Sequence, residues 1–278
     1  TLFQSDFEQA ALYYEKAEKE AYENYGILLN LAAAKEQQEK WQEAEACYLK
    51  ILECTEDEVE RIHVFTALVL HYRKRNMYLK AQRIVNQLIE EIPHQYQGHH
   101  LYFLMKQERS HFEEISIHME EIREEFGGNP QFLIDELAAL ELAGKEEALL
   151  ERINNHPAVM EVIPEVALRK KVELYANRKD MEKTTEAIWE LLRRTGDVDA
   201  AISAIMIEML NKNHKRAADL ANYVMEQERE VRQERFYIAM YLQMNALTLY
   251  LDGKKDEKIE ELIKKEKEFT DAFFHGQE

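Results

Sequence analysis

Five histidines cluster between His94 and His118, a density that raises the question of metal chemistry. They are His94, His99, His100, His111 and His118. A zinc site needs three or four ligands that converge at a suitable spacing, and the sequence contains no HExxH pair. We therefore interpret these residues as surface or groove histidines. Those in a groove would tune binding near pH 6, where imidazole titrates.

The other reactive side chains lack the partners that catalysis requires. Cys47 and Cys54 lie seven positions apart on one predicted helix, roughly 10 Å along its axis and too far for a disulfide. We expect both to be free, buried thiols in a reducing compartment. Gly127-Gly128 lacks the Gly-Lys-Ser/Thr of a phosphate loop, and no Gly-x-Ser-x-Gly occurs. We expect no enzyme activity, no cofactor and no metal.

The elements that would position a binding site repeat along the chain. Two consecutive copies of one pattern, a pair of short amphipathic helices, occupy residues 25–58 and 62–95. The packing positions of the first copy are Leu28, Leu31, Ala32, Trp41, Ala44, Tyr48, Ile51 and Leu52. Those of the second are Phe65, Leu68, Val69, Tyr72, Tyr78, Ala81, Val85, Leu88 and Ile89, closed by Pro93. This pattern resembles the tetratricopeptide repeat (TPR), a helix–turn–helix unit of about 34 residues.

The resemblance is clearest over residues 6–95 and implies an all-α fold, a right-handed α-solenoid of stacked antiparallel helix pairs. The marker positions Ala10, Ala44, Ala81 and Ile115 follow the repeat length of roughly 34 residues, except that the second interval is longer. This interval predicts an inter-repeat turn about three residues longer, within Glu53 to Glu60. Thr184 and Ala217 mark a later repeat.

Turn residues divide the predicted solenoid into three segments. TPR-like repeats occupy 1–126, divergent helical pairs continue the same solenoid over 127–230, and a capping pair forms 231–278, with helices over 231–251 and 259–274. Gly127-Gly128-Asn129-Pro130 is the strongest turn, since glycine permits positive φ and proline stops the incoming helix. Residues 154–164 are the candidate bend or seam, and the apolar helix core 200–207 is expected to be buried. For the second half of the chain, the sequence is also compatible with a HEAT-like or other α-solenoid.

Charge sets the class of partner. The net charge is −18, from 54 acidic and 36 basic residues, and this disfavours nucleic-acid binding by this segment. Basic or neutral proteins and peptides are the expected partners. No apolar run approaches the length of roughly 18 residues that suggests a membrane span, and the free thiols favour the cytoplasm. Because the chain starts without Met on half a repeat, with Asp6 as a plausible helix cap, we expect an upstream part to be missing.

In the tetratricopeptide family the first helix of each pair lines the concave surface. The resemblance therefore implies a peptide-binding groove that includes His63, Thr66, Leu70, Arg73, Gln97, His100, Gln107, Arg169, Glu173 and Asn177. Leu29 and Ala33 stand where some members use Lys and Asn to hold a C-terminal carboxylate, so that mode is disfavoured. The remaining mixture of side chains suits an extended peptide or a helix laid in a groove.

Two functions compete. The first is a non-enzymatic interaction scaffold that binds a peptide or helix of a partner in the concave groove. The alternative is a ligand- or peptide-responsive regulatory domain of a larger signalling or transcription-regulating protein, with its N-terminal part upstream of this segment. An upstream DNA-binding or kinase domain would favour the alternative.

Overall fold

The protein is all-α over the residues that the computed structural model describes, which are 7, 9–16, 24–228 and 233–252. Sixteen helices and no strand occur among them. The helices are α1 (9–16), α2 (Tyr25–Gln37), α3 (Trp41–Cys54), α4 (Glu58–Lys74), α5 (Tyr78–Glu91), α6 (Gln97–Glu108), α7 (Phe112–Glu121), α8 (Arg123–Phe126), α9 (Pro130–Leu142), α10 (Glu146–Asn155), α11 (Pro157–Val162), α12 (Pro164–Asn177), α13 (Met181–Thr195), α14 (Val198–Leu210), α15 (His214–Glu228) and α16 (Gln233–Asp252).

Contacts divide the chain into two compact units, Thr1–Gly144 (unit 1) and Lys145–Glu278 (unit 2). Within unit 1, α2, α4 and α6 each pack on the following helix, α3, α5 and α7. Within unit 2, α12 packs on α13 and α14 on α15. Since three-residue connections join these partners, each pair is antiparallel. We call the first helix of a pair the A helix and the second the B helix, and count α9 and α16 as A helices.

One turn recurs at the ends of the A helices α2, α4, α6, α9, α12 and α14. The second residue after the helix is left-handed, with φ between 57° and 68°, at Glu39, Asn76, Ser110, Gly144, Lys179 and Lys212. At five of these turns, the residue that follows the left-handed residue donates its backbone N–H to the carbonyl of the residue five positions before it, at 2.9–3.0 Å. This is the hydrogen bond of a Schellman motif, which satisfies the last carbonyls of a helix. Successive turns lie about one TPR length apart, roughly 34 residues, so one repeat register runs from α2 to α15.

We expect Gly144→Ala to lower the free energy of unfolding by about 1 kcal/mol, because a Cβ is strained in the left-handed region. Gly144 has φ +68° and open space where the added methyl group would lie, so the backbone alone carries this cost. Gly128 is the matched control, since its surroundings are equally open and its φ lies outside the left-handed region. Urea unfolding measures both variants. Equal effects would contradict the turn geometry.

Most of the predicted packing positions lie in the core of unit 1. Phe65, Leu68, Val69, Ala81 and Val85 are all 0% exposed. The markers are also buried at Ala44, Ile115, Thr184 and Ala217, and the equivalent buried residue of the fourth repeat is Leu149. In the leading half-repeat the buried small residue is Ala11, whereas the predicted marker Ala10 is half-buried. The TPR-like arrangement of helix pairs is thus confirmed.

The three extra residues of the second repeat lengthen a helix instead of a turn. The connection between α3 and α4 has three residues, and α4 has 17 residues against 13 in α2. Asp57 caps α4 by accepting from the Glu60 N–H at 2.9 Å, and Glu58 and Glu60 lie in its first turn. Carboxylates there interact favourably with the helix dipole. The acidic stretch therefore starts the helix, and the expectation of a longer turn is wrong.

Other turn and burial predictions differ in detail. The chain turns between Phe126 and Pro130 as predicted, but Gly127 has φ −61°, so positive φ is not what ends the helix. The boundary between units falls after Gly144, whereas residues 154–164 hold the short α11. In α14, Met206 is exposed, which corrects the expected burial of the helix core 200–207. The predicted cap at Asp6 and helix over 259–274 lie outside the described residues.

Candidate functional site

The A helices of unit 1 form one layer, since α2 contacts α4, α4 contacts α6 and α6 contacts α9. The residue four positions before the end of each helix is apolar and at least partly exposed. These residues, which we call the ladder positions, are Ala33, Leu70, Leu104 and Ala138. Leu70 is 44% exposed. Because the helices are neighbours, the ladder positions place an apolar stripe across four repeats.

Every predicted groove residue is at least partly accessible. His63, Leu70, Gln107, Arg169, Glu173 and Asn177 are exposed, and Thr66, Arg73, Gln97 and His100 are half-buried. Seven of them lie on α4 and α6, which are in contact, and three lie on α12 in unit 2. The structure therefore brings together the seven of unit 1. Their role in binding stays a prediction.

Three of the predicted residues on α4 also take part in hydrogen bonds. His63 Nδ1 and the Tyr25 hydroxyl are hydrogen-bonded at 3.2 Å. Arg73 donates to the Glu108 carboxylate from α4 to α6. Thr66 instead bonds within its own helix, donating to the Ile62 carbonyl. Imidazole and guanidinium groups on this face are thus partly committed to holding repeats together.

His100 is held by a buried carboxylate. Asp135 on α9 is 3% exposed, and its Oδ2 accepts from His100 Nδ1 at 2.6 Å and from the Tyr96 hydroxyl at 2.7 Å. Its Oδ1 accepts from Gln131 Nε2 at 2.9 Å. Burial, and then the Asp135 charge, raise the pKa of the Tyr96 phenol well above its usual range, so Tyr96 stays a neutral donor. These bonds fix α6 against α9.

The histidine cluster is not uniformly on the surface or in the groove. His99 is 6% exposed, its Nδ1 lies 3.0 Å from Nε2 of His118, and its ring packs on Phe126. Burial, and then His118, lower the pKa of His99 to about 4. Burial also lowers the pKa of His118. The expectation of exposed rings is wrong for His99, because its hydrogen-bond partner lies inside the repeat.

Unit 2 carries the three remaining predicted residues, and two of them line a cleft. This cleft of about 360 Å³ is lined by Arg169, Val172, Glu173, Ile188, Leu191, Asp197, Asp199, Ala200 and Ser203. Arg169 donates to Glu165 at 3.2 Å and to Asp197, which caps α14 through the Ala200 N–H. Arg169 and Glu173 thus share one site, while Asn177 is exposed at the end of α12.

The sequence does not reveal a buried hydrogen bond between the first two repeats. His71 on α4 is 0% exposed, and its Nδ1 lies 2.8 Å from Oε1 of Glu36 on α2. Lys74 donates to the other Glu36 oxygen at 2.9 Å. The ladder positions Leu104 and Ala138 were missed as well. The ladder positions become visible when the repeats are aligned on their left-handed turns. The sequence marks only one of these turns with a glycine, Gly144.

Potential metal ligands, the two thiols and the hydropathy of the helices are the remaining features of the described residues. No group of three or more His, Cys, Asp or Glu among them is arranged to hold a metal ion. Cys47 is half-buried and Cys54 is exposed, and neither forms a disulfide, which corrects the expectation that both are buried. None of the described helices has the length and hydropathy needed to cross a membrane.

Comparisons with known proteins find similarity among solved structures, at low sequence identity. No protein-family model matches it, and no curated protein does. The crystal structure of YrrB, described as a TPR protein with an unusual peptide-binding site, is 18% identical, covers 70% of this chain and 98% of its own, and has a TM-score of 0.44. The TPR domain of P58(IPK) is 12% identical, with coverages of 96% and 94% and a TM-score of 0.29. The chain's own repeat period and recurring turn are what make its fold TPR-like.

Proposed function

We propose that the protein is a non-enzymatic interaction scaffold that binds a peptide or helix of a partner protein on its A helices. The ladder positions of unit 1 carry this proposal. Ala33, Leu70, Leu104 and Ala138 offer an apolar stripe, and Gln97 and Gln107 add amide groups beside it. The Gln107 side chain is exposed and forms no hydrogen bond among the described residues. Apolar contact with a few amides is what an extended or helical segment needs for specific binding.

The partner in this proposal is basic or neutral. The chain has a net charge of −18, which disfavours acidic partners through long-range repulsion. Arg73 does not offset this, since its charge is taken up by Glu108. We place the scaffold in the cytoplasm, where thiols such as the exposed Cys54 stay reduced.

The test compares two leucines of similar exposure on different helices. Leu70, on A helix α4, is 44% exposed, and Leu49, on B helix α3, is 41% exposed. Binding segments are selected from a displayed peptide library, and their affinity is measured for wild type, Leu70→Asp and Leu49→Asp.

We expect Leu70→Asp to weaken binding about tenfold or more, because a carboxylate would face apolar side chains of the segment. Leu49→Asp should leave the affinity unchanged. If both variants lose binding equally, or if neither does, the A helices of unit 1 are not the binding surface.

A further inference from the structure

The A helices of unit 2 expose large apolar side chains in a highly charged protein. On α14, Met206 is 55% and Leu210 80% exposed, and on α16, Ile238 is 43% and Tyr241 58% exposed. Residues 236–250 include no charged residue, although 32% of the chain is charged. Since α14 and α16 are in contact, these side chains belong to neighbouring helices of one layer.

The burial pattern gives α16 the same register as α14. Ala204 and Ile205 are buried two residues and one residue before Met206. Ala239 and Met240 are buried in the same way before Tyr241, which lies about one repeat length beyond Met206. By this burial pattern, and not by its distance from the helix end, Tyr241 takes the position in α16 that Met206 takes in α14, and we count it with the ladder positions.

The ladder of unit 2 begins with a carboxylate. Glu173 is four residues before the end of α12, is exposed, and forms no ion pair among the described residues. The nearby Arg169 does not offset it, because Arg169 lies within 4 Å of three other carboxylates, those of Glu165, Asp197 and Asp199. The ladder of unit 2 thus reads acidic, apolar, aromatic, whereas that of unit 1 is apolar throughout.

We propose that the A face of unit 2 binds an amphipathic helix of a partner protein, with one Lys or Arg followed at heptad spacing by two large apolar residues. The inference rests on the proposed function, that A helices bind protein segments, and names the partner of this part of the surface. The cation meets Glu173, and the apolar residues meet Met206 and Tyr241. The thioether of Met206 adapts to side chains of different shape.

The spacing of the ladder selects a helix that crosses the layer. Packed helices lie about 8–10 Å apart, and seven residues of a helix advance about 10.5 Å along its axis. Side chains seven residues apart on one face of a bound helix can therefore reach successive ladder positions. Charge complementarity then fixes the direction, since Glu173 stands at one end only.

The probe is a synthetic helical peptide of about 21 residues, rich in Ala and Gln, with Lys followed by Leu at heptad spacing. Its affinity is measured for the full chain and for two matched variants, Leu210→Lys and Leu79→Lys. Leu79, on α5 of unit 1, is 80% exposed like Leu210. We expect Leu210→Lys to weaken binding about tenfold and Leu79→Lys to have no effect.

A charge exchange provides the sharper test. A peptide with Glu in place of Lys should bind the wild-type chain about tenfold more weakly and recover on Glu173→Lys. Equal binding of the two peptides to wild type overturns the inference, as does equal loss in both leucine variants.

The remaining outcomes separate this inference from the proposed function. Probe binding that is lost in Leu70→Asp and kept in Leu210→Lys overturns the assignment to unit 2 but supports unit 1. Failure of the probe to bind overturns the inference, while the leucine comparison in unit 1 still decides the proposed function. If the chain self-associates and Leu210→Lys abolishes this, the A helices of unit 2 bind a second copy of the chain. That result would also overturn the inference.

Discussion

Lowering the pH from 7 to 4.5 is expected to remove about 2 kcal/mol of stability through His99 alone. In the folded chain the pKa of His99 is lowered to about 4, mainly by burial, whereas in the unfolded chain it returns to about 6.5. Between these values the unfolded chain binds a proton that the folded chain does not. Stability contributed by neutral His99 is therefore complete above about pH 7 and is lost as the pH falls towards 4.

The histidine pair strengthens this dependence. His118 also has a lowered pKa, through burial and the charge of Lys106. The 3.0 Å contact between the two rings needs one nitrogen to donate and the other to accept. Protonating both rings removes the acceptor and places two like charges together, so the rings cannot both charge without disturbing the packing of α6 on α7.

The measurement is urea unfolding at pH 7 and pH 4.5, followed by circular dichroism. His99→Gln keeps a hydrogen-bonding side chain that cannot titrate. Between pH 7 and pH 4.5 this variant should therefore lose about 2 kcal/mol less free energy of unfolding than wild type. Carboxylates that titrate in the same interval cancel in this comparison. The control is His94→Gln, since the His94 side chain is 56% exposed. A wild-type pH dependence in His99→Gln would refute the role of the pair.

Asp135→Ala is expected to lower the free energy of unfolding by about 3 kcal/mol. The variant removes the acceptor for three side chains, Tyr96, His100 and Gln131. The Tyr96 hydroxyl would then be buried with only the Met119 sulfur, 3.7 Å away, as an acceptor. An unsatisfied buried donor costs more than the hydrogen bond itself contributed.

The control for Asp135→Ala is Glu120→Ala, an exposed carboxylate on α7 of the same unit. We expect Glu120→Ala to change stability by less than about 0.5 kcal/mol. Hydrogen exchange of α6 and α9 amides reports whether the loss is local to the helices that Asp135 joins. A loss below about 1 kcal/mol in Asp135→Ala would show that the buried carboxylate is not a structural link.

The sequence predicts the repeat architecture because small and aromatic packing residues leave a regular mark. Ala44 and Ala81 are inaccessible to solvent, as their spacing predicts. Pro164 starts α12 at its first turn, and Asp197 caps α14. These features depend on local backbone chemistry, which a single sequence carries.

The pairing of polar side chains could not be predicted in the same way. His99 and His118, or His100 and Asp135, meet only after several helices have packed, and nothing in their spacing fixes which ring turns inward. The same holds for Met206, which lies in an apolar run that is typical of a buried helix. Its exposure follows from the register of α14 against the helices that pack on it.

Photo-crosslinking from the ladder positions can show directly whether partners bind on the A helices. A photoreactive amino acid is placed at Leu104, on A helix α6, or at Leu49, on B helix α3, and irradiated with a peptide selected for binding to the wild-type chain. We expect a crosslinked product from position 104 and none from position 49. A product from position 49 alone would contradict it and move the binding surface to the B helices.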